Sequence, residues 1–397
     1  MTTINFLLLK FKENYLQIFL LIILLFQNKI LIDVLSVEGY GKYIYQISIG
    51  SIIGLIFPIG FNAFIRRGII KKEYSVIGKY FKISLIFSIV SSIIFILIYA
   101  LTSNIVYFFY WLFYLSILFN YYDIILLSLD KVNISRGLLF FQSLTFVILI
   151  FFLPKMHYYS YLVIFSLLSL IRVMFGWFCI KKYVIKDLDF SFNPISKKDK
   201  KYIFKTSFSD YLNSFVSHID SVFLGYMSVQ QLGVFQLHRI IPNSIKSNVK
   251  LLFIKEENKL LNQSTTPYYQ GFIKFIFGNT PLFIIIVLLS NLLTYLYIDI
   301  FLDNDISTSL LLSAIFSFTI VFKVLNSFLE NQDIFLQNAS FFTKFNFWDK
   351  IAYMISLFIA ISFFDLIPVV LIILINDIII FSTYLTRIYV QSRKINS

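Results

Sequence analysis

The chain has 397 residues, of which 58% are hydrophobic, 19% aromatic and only 14% charged. Its mean hydropathy is +0.81. In soluble domains about a quarter of all residues are charged. This composition therefore excludes a soluble enzyme and predicts that lipid surrounds most of the chain. The net charge of +13 is spread over short loops, which argues against nucleic acid as a partner.

Long apolar runs predict membrane-spanning helices, because about 18 or more apolar residues cross the hydrocarbon region as a helix. A β-barrel would alternate apolar and polar residues, and the runs Phe283–Leu289 and Val369–Ile375 do not. We predict an all-α integral membrane protein of about twelve transmembrane helices, the eleventh short or beginning earlier, near Phe345. The predicted spans are 15–35, 44–65, 83–102, 105–128, 137–153, 160–180, 206–226, 233–254, 275–298, 308–329, 351–364 and 367–386.

The basic residues predict the topology, because loops on the cytoplasmic side are enriched in Lys and Arg. With the N-terminus inside, the inner segments hold 28 of the 34 Lys and Arg residues, and the outer segments hold only Lys42 and Lys155. We therefore expect a multi-pass protein of the bacterial cytoplasmic membrane with both termini cytoplasmic. The first span has no cleavage signal after it and is expected to be retained as a helix.

The two halves of the sequence indicate an internal repeat. The polar segment 181–205 separates six spans from six, and Leu35–Gly41 resembles Met227–Gly233, with Ser, Val and Gly coinciding at an offset of 192. Six helices per copy is an even number, so the repeats would be parallel. We predict an N-terminal six-helix lobe over residues 1–184, a cytoplasmic linker over 185–205 and a C-terminal six-helix lobe over 206–397, related by parallel pseudo-symmetry.

Motifs for nucleotide or metal chemistry are missing from the sequence. Gly39-Tyr40-Gly41-Lys42 lacks the spacing of a phosphate-binding loop, and the three histidines have no familiar metal-ligand spacing. No polar segment is long enough for an ATPase or glycosyltransferase domain. We therefore predict no cofactor and no enzymatic activity, and expect energy to come from an ion gradient, the membrane potential or the substrate gradient.

Polar residues inside predicted spans are the candidate functional residues, because they are costly in hydrocarbon and tend to face a cavity or each other. In the first span Lys29 and Asp33 share a helix face; they form either an internal ion pair or a cavity-facing cation with an ion-coupling acid. In the seventh span Asp210 and Asn213 share a face and either coordinate a cation or bond to a neighbouring helix. Asp33 and Asp210 are the candidate ion-coupling residues.

The eighth span contains a basic stripe, since Arg239, Asn243, Lys246 and Lys250 follow each other at intervals of four, three and four residues. Such a stripe would be a poor lipid face, so we predict that it lines a cavity, although its inner end can also extend to the headgroups. Further candidate cavity cations are Lys29, Arg66, Arg172 and Lys323, and Lys323 can form a structural ion pair with Asp377. Because cations outnumber acids, an anionic substrate is favoured, and phosphate is the usual partner of Arg and Lys.

These segments resemble the polysaccharide flippases (Wzx, or O-antigen transporters) of the multidrug/oligosaccharidyl-lipid/polysaccharide exporter superfamily. The resemblance lies in Leu35–Arg67, with Phe57-Pro58-Ile59-Gly60-Phe61, and in Asp220–Phe235, where the chain has Phe235 at a position at which that family often has tyrosine. It implies two lobes around a cavity and transport of an undecaprenyl-diphosphate-linked oligosaccharide to the outer leaflet by alternating access. It also implies membrane lipids, a polysaccharide polymerase and a chain-length regulator as partners.

Three other functions stay open at this point. A membrane polysaccharide polymerase would be an enzyme of similar size, but it would have a large outer loop carrying arginine, whereas the outer loops here are short and acidic. An acidic cavity would favour a multidrug/cation antiporter of the same superfamily, whereas the candidate cavity residues of this chain are mostly basic. A structural subunit without transport would not explain cations on several spans.

Overall fold

The protein is all-helical in its computed structural model, as the sequence predicts. The structure describes residues 3–54, 61–70, 73–129, 131–154, 156–184, 211–212, 215–261, 265–301, 310–335, 339–363 and 365–396, and no strand occurs in these ranges. The helices are α1 (Thr3–Gly54), α2 (Phe61–Ile70), α3 (Ser75–Thr102), α4 (Ile105–Leu118), α5 (Tyr122–Ser128), α6 (Val132–Phe152), α7 (Tyr158–Val184), α8 (215–227), α9 (Val229–Leu252), α10 (Ile254–Leu261), α11 (Thr265–Phe301), α12 (Leu310–Phe335), α13 (Ala339–Phe363) and α14 (Leu366–Asn396).

Eight stretches in the described ranges are long and apolar enough to cross a membrane, which makes this a multi-pass membrane protein. Two further helices, α9 with 24 residues and α13 with 25, have sufficient length but a more polar composition. α13 begins earlier than the predicted eleventh span, near the alternative start at Phe345. The eight stretches are Phe19–Gly54, Ser75–Thr102, Ile105–Ser128, Val132–Phe152, Tyr158–Lys182, Tyr268–Asp299, Leu310–Glu330 and Leu366–Arg393.

Helix α1 contains two of the predicted spans, because the chain turns back at Ser36. A straight helix of its 52 residues would be about 78 Å long at 1.5 Å per residue, far beyond the hydrocarbon thickness. Ser36 has a φ of 64°, a left-handed conformation that is uncommon outside glycine. The Tyr40 hydroxyl donates to Asn28 Oδ1 at 3.0 Å, although a straight helix would separate the two Cα atoms by about 18 Å. The turn expected between the first two predicted spans is therefore present.

The two copies of the predicted repeat share the same helix cap. Ser36 Oγ accepts a hydrogen bond from the Gly39 backbone N–H at 3.4 Å, and Ser228 Oγ accepts one from the Gln231 N–H at 3.2 Å. Both serines thus bond to the residue three positions ahead, which is the geometry of an N-cap. The serine of the repeat is therefore a local structural signal that starts the second helix of each copy.

The glycines of the repeat pack against the opposite turn in a reciprocal manner. A Cβ atom on Gly41 would lie 1.9 Å from the Val229 carbonyl oxygen, and one on Gly233 would lie 2.5 Å from the Val37 carbonyl oxygen. Val37 and Val229 are themselves related by the offset of 192, as are Gly41 and Gly233. Such a reciprocal contact is what two-fold related surfaces produce, and it supports the internal repeat.

The chain divides into two compact units, an N-terminal unit of Phe11–Gly233 and a C-terminal unit of Val234–Ser397 with Met1–Lys10. The lobes over 1–184 and 206–397 stay a prediction, and the linker over 185–205 lies outside the described residues. In the N-terminal unit, α4 packs against α3 and α7, and α7 against α6. Trp111 Nε1 donates to Ser92 Oγ at 2.9 Å and Gln142 Nε2 to Ser169 Oγ at 2.8 Å, the interhelical polar contacts typical of membrane helices.

In the C-terminal unit, α12 lies between α11 and α14 and packs against both. Ser317 Oγ bonds to Ser290 Oγ at 3.0 Å, and the buried Tyr268 hydroxyl donates to the Phe328 carbonyl at 2.8 Å. Small hydroxyl residues let helix backbones approach closely in lipid. This packing fixes the faces of α12 and α14 that carry charged side chains.

Candidate functional site

Charged side chains from three helices meet inside the C-terminal unit. Arg239 and Lys246 come from α9, Lys323 from α12 and Asp377 from α14; we call these four residues the C-terminal charge cluster. Lys246 lies within electrostatic range of the other three, and Asp377 within range of all three cations. Lys323 lies within the candidate span Leu310–Glu330, and Asp377 within Leu366–Arg393. The cluster therefore lies at membrane depth, where ionised groups are costly and tend to be functional.

The predicted Lys323–Asp377 ion pair is present, with 3.8 Å between Nζ and Oδ2. Asn326 Nδ2 donates to the Asp377 backbone carbonyl at 2.9 Å and ties α12 to α14 beside the pair. The Asp377 side chain is buried, and its Oδ2 accepts no hydrogen bond from the described residues. The carboxylate is thus held by electrostatic attraction to its cations more than by direct hydrogen bonding.

Helix α9 presents its cations through an aromatic contact with α12. The Arg239 guanidinium lies 5.4 Å from the centroid of the Phe235 ring, a cation–π distance. Phe235 in turn packs edge-on against Phe316 at 5.3 Å between centroids. Lys246 Nζ donates to Asn243 Oδ1 at 3.3 Å, so Arg239, Asn243 and Lys246 of the predicted stripe do lie along one face. Lys250, the fourth member, is exposed.

The charge balance of the cluster favours anions. Three of the four side chains are basic and one is acidic, so the cluster favours an anion over a cation. Charges of one sign in a low-dielectric environment focus the potential and attract the opposite charge. The arrangement can therefore hold an anionic group between α9, α12 and α14, with arginine and lysine as donors.

A second group of charges continues along the same unit. Lys350 and Asp349 of α13 form a buried ion pair of 2.9 Å, and Lys350 also lies within electrostatic range of Asp377. Glu330 of α12 lies within range of Lys350 and Lys250. Lys350 lies just before the predicted eleventh span and Glu330 just after the predicted tenth, so neither was among the predicted site residues. The early start of α13, at Ala339, would have indicated that Lys350 lies inside a helix.

The other predicted site residues lie in the N-terminal unit or outside the described residues. Lys29 and Asp33 form an ion pair of 2.5 Å whose side chains are 29% and 51% exposed. Arg66 is half-buried in α2, and Arg172 Nη2 donates to Asn120 Oδ1 at 3.2 Å. Asp210 lies outside the described residues. The assignment of these cations to one substrate cavity, and of Asp33 and Asp210 to ion coupling, stays a prediction.

Metal binding has no support in the described part of the chain, where no three His, Cys, Asp or Glu side chains come together as a ligand group. The charges of the C-terminal charge cluster suit electrostatic binding of an anion.

The helix order, the apolar stretches and the packing define a polytopic α-helical membrane protein with the fold of a transporter class. An outward-facing multidrug resistance MATE family transporter of the MOP superfamily superposes with a TM-score of 0.61 at 12% identity, covering 96% of each chain. An inward-facing structure of a transporter of that family gives a TM-score of 0.56 at 12% identity over 94% of this chain and 96% of that one. The Vibrio cholerae MATE transporter VcmN in its bent form gives 0.57 at 13% identity, covering 97% and 96%.

No protein-family profile and no curated protein sequence matches the chain. At these identities the structural neighbours establish the fold and leave the substrate open. The predicted all-α membrane architecture is confirmed, and the fold agrees with the superfamily that the sequence resemblance indicates.

Proposed function

We propose that the chain is a membrane transporter that moves an undecaprenyl-diphosphate-linked oligosaccharide repeat unit from the inner to the outer leaflet. The repeat unit would serve the synthesis of O-antigen, capsule or another bacterial surface polysaccharide. The protein would lie in the cytoplasmic membrane with both termini cytoplasmic. Alternating access would carry the substrate, since neighbours of this fold include outward- and inward-facing transporters. A polysaccharide polymerase and a chain-length regulator are the expected protein partners.

One observation carries the choice of substrate: the C-terminal charge cluster has three cations against one acid. A diphosphate brings the negative charge that this cluster lacks, and charge-assisted bonds to phosphate are the strong class of hydrogen bond. The apolar stretches around the cluster suit a polyprenyl chain. A polysaccharide polymerase is disfavoured by the sequence, whose predicted outer loops are short and acidic rather than long and arginine-bearing.

A multidrug/cation antiporter is the second candidate, because the fold fits it equally well. MATE transporters named as multidrug resistance proteins are among the structural neighbours. Within the C-terminal charge cluster, however, a cationic drug would meet three basic side chains and one acid, Asp377. The sign of the cluster is therefore the feature that separates the two proposals.

The main test replaces Arg239 and Lys246 by alanine, singly and together, in a strain lacking the chromosomal copy. We expect loss of surface polysaccharide and accumulation of lipid-linked repeat units, with each single change lowering transport roughly 10- to 100-fold, because a hydrogen bond to a charged group contributes about 1.5–3 kcal/mol. Lys182→Ala is the matched control, since Lys182 is an exposed lysine at the end of α7 and should leave transport unchanged.

The same variants separate the two candidate functions in vesicles. If the protein is a flippase, the wild type moves a fluorescent diphosphate lipid across the vesicle membrane and does not expel cationic dyes. The Arg239→Ala/Lys246→Ala double variant should not move the lipid. Normal polysaccharide display in all variants, or dye efflux without lipid movement, would overturn the flippase proposal.

Ion coupling through Asp33 and Asp210 is tested by imposing gradients across the vesicle membrane. We expect transport to respond to a pH or sodium gradient, and Asp33→Asn to weaken that response without abolishing downhill movement. Transport that is indifferent to both gradients would remove these two acids from the coupling mechanism.

A further inference from the structure

A separate polar cluster lies in the N-terminal unit, where α5, α6 and α7 pack together. Arg172 of α7 donates through Nη2 to Asn120 Oδ1 at 3.2 Å. Asp123 of α5 accepts a hydrogen bond from the Ser135 hydroxyl. Arg136 follows Ser135 in α6 and lies within electrostatic range of Arg172 and Asp123. We call Arg136 and Arg172 the arginine pair.

The arginine pair is poorly satisfied by the described protein. The Nε atoms of Arg136 and Arg172 are buried and have no hydrogen-bond partner there. Asp123 attracts Arg136 but forms no direct ion pair with it in the described ranges. Two guanidinium groups that repel each other therefore share one carboxylate, and buried donors of a charged group are costly when they stay unpaired.

The surrounding helices hold this arrangement rigidly. The Tyr122 ring, which lies within range of both arginines, packs so closely on α7 that a Cβ on Gly176 would come within 2.3 Å of it. Trp177 Nε1 donates to the Phe119 carbonyl at 3.1 Å. The same helices bury an apolar core that includes Ile125 and Val173. A site whose donors are fixed by packing is preorganised for a ligand.

The chemistry that fits this site is a phosphate group. An arginine guanidinium presents planar, forked donors that match phosphate oxygens and cannot lose its charge. Arg136 and Arg172 are both partly exposed, so a ligand can reach them. A single phosphate would supply the missing negative charge and accept hydrogen bonds from the guanidinium groups, while Asn120 and Asp123 would keep these groups in place.

The position of the site indicates where the phosphate comes from. Exposed lysines mark the same end of the unit: Lys131 precedes α6, and Lys181 and Lys182 close α7. Such lysines are enriched on the cytoplasmic side, which places the arginine pair near the inner-leaflet headgroups. From the two neighbouring, partly exposed guanidinium groups and the single carboxylate between them, we infer that the arginine pair is a phosphate-binding site, occupied by a phospholipid headgroup or by free diphosphate. This inference does not depend on the proposed transport function.

The test titrates purified full-length protein in detergent with three probes and follows its thermal unfolding. The probes are short-chain phosphatidylglycerol, diacylglycerol with the same chains and inorganic pyrophosphate. We expect a saturable rise in Tm with a phosphate-bearing probe and no such rise with diacylglycerol. Arg136→Gln and Arg172→Gln should each weaken the apparent affinity at least about tenfold, whereas Lys181→Gln, the same charge change on an exposed residue of α7, should not.

A second readout separates ligand binding from a merely structural role. Without ligand, Arg136→Gln should have the same Tm as wild type or a higher one, because the change removes repulsion from Arg172. A structural arginine would instead lower Tm when removed. Should either glutamine variant fail to fold, Arg172→Lys and Arg136→Lys keep the charge but lose the forked donors, and are expected to weaken binding severalfold.

Each outcome of the titration decides the inference. A saturable rise in Tm with phosphatidylglycerol alone indicates that the ligand is a lipid headgroup. A rise with pyrophosphate, or competition by pyrophosphate with phosphatidylglycerol, indicates that the ligand is a free diphosphate. The inference is overturned if no probe gives a phosphate-dependent shift, or if the shift is the same in wild type and in the arginine variants.

Discussion

Gly41→Ala is expected to be among the most damaging single substitutions in this chain, although it adds only one methyl group. The added Cβ would lie 1.9 Å from the Val229 carbonyl oxygen and 3.3 Å from the Gly233 backbone nitrogen. Overpacking commonly costs 1–3 kcal/mol when side chains can move aside. Because the obstacle here is backbone, we expect a loss of about 3 kcal/mol or more, seen as a large drop in Tm or as failure to accumulate in the membrane.

Two substitutions of the same kind serve as controls. A Cβ on Gly137 or on Gly278 would meet no atom within 4 Å, and both glycines lie inside helices. Alanine is about 1 kcal/mol better than glycine in a helix interior, so Gly137→Ala and Gly278→Ala should keep or raise Tm. Gly233→Ala should behave like Gly41→Ala, and a normal Tm for both would contradict the close crossing of the two turns.

The Ser-Val-Gly repeat shows how much three residues can predict. The shared pattern at an offset of 192 indicated a repeat with an outer turn, and the structure gives each residue a physical task. The serine caps the following helix. The valine carbonyl oxygen packs against the glycine of the other copy, where a side chain would clash with it. The pattern was readable because local capping and close backbone approach each restrict the residue type strongly.

The span boundaries were less predictable for equally physical reasons. Apolar runs gave the clear spans, including the end of the first span at residue 35, next to the left-handed Ser36, whereas charged residues hid the start of α13. Helix α13 begins at Ala339, in a stretch that still carries Lys344, Asp349 and Lys350. Such a charged stretch looks like a loop in sequence, although Asp349 and Lys350 pair with each other and are buried in the structure.

The candidate sites were predictable only in part. The basic face of α9 followed from helical periodicity, and the Lys323–Asp377 pair from the rarity of charge in apolar runs. Arg136 immediately precedes the predicted fifth span, and a basic residue near the inner end of a span satisfies the topology rule whether or not it binds anything. Its closeness to Arg172 depends on the packing of α5, α6 and α7, which the sequence pattern does not specify.

Asp377→Asn is the second change for which we expect a large effect. The Asp377 side chain is 9% exposed and lies 3.8 Å from Lys323, with Lys246, Arg239 and Lys350 also in electrostatic range. Its removal leaves Arg239, Lys246 and Lys323 at membrane depth with no acid among them. Removing one member of a buried pair commonly costs 3–5 kcal/mol, so we expect a loss on the order of 3 kcal/mol in detergent unfolding.

The double variant Lys323→Gln/Asp377→Asn should recover much of that stability, because it removes a cation together with the carboxylate. A double-mutant cycle with Lys323→Gln then gives the coupling energy of the pair. Asp33→Asn is the matched control: Asp33 also pairs with a lysine, but its side chain is 51% exposed, and such pairs contribute about 0–1 kcal/mol. Equal losses in Asp33→Asn and Asp377→Asn would contradict a buried charge cluster.

The same variant connects stability with the proposed substrate. If the C-terminal charge cluster binds a diphosphate, the Asp377 carboxylate is the internal anion that partly neutralises the three cations when no substrate is present. Removal of the carboxylate should then make pyrophosphate a stronger stabiliser of Asp377→Asn than of wild type, since an added anion replaces the lost charge. A transporter must also release its substrate, and tighter binding slows release. The transport rate of Asp377→Asn should therefore fall as its affinity for the diphosphate rises. Weaker pyrophosphate stabilisation in Asp377→Asn than in wild type would show that the carboxylate helps to bind the ligand, and would favour a cation as the transported species.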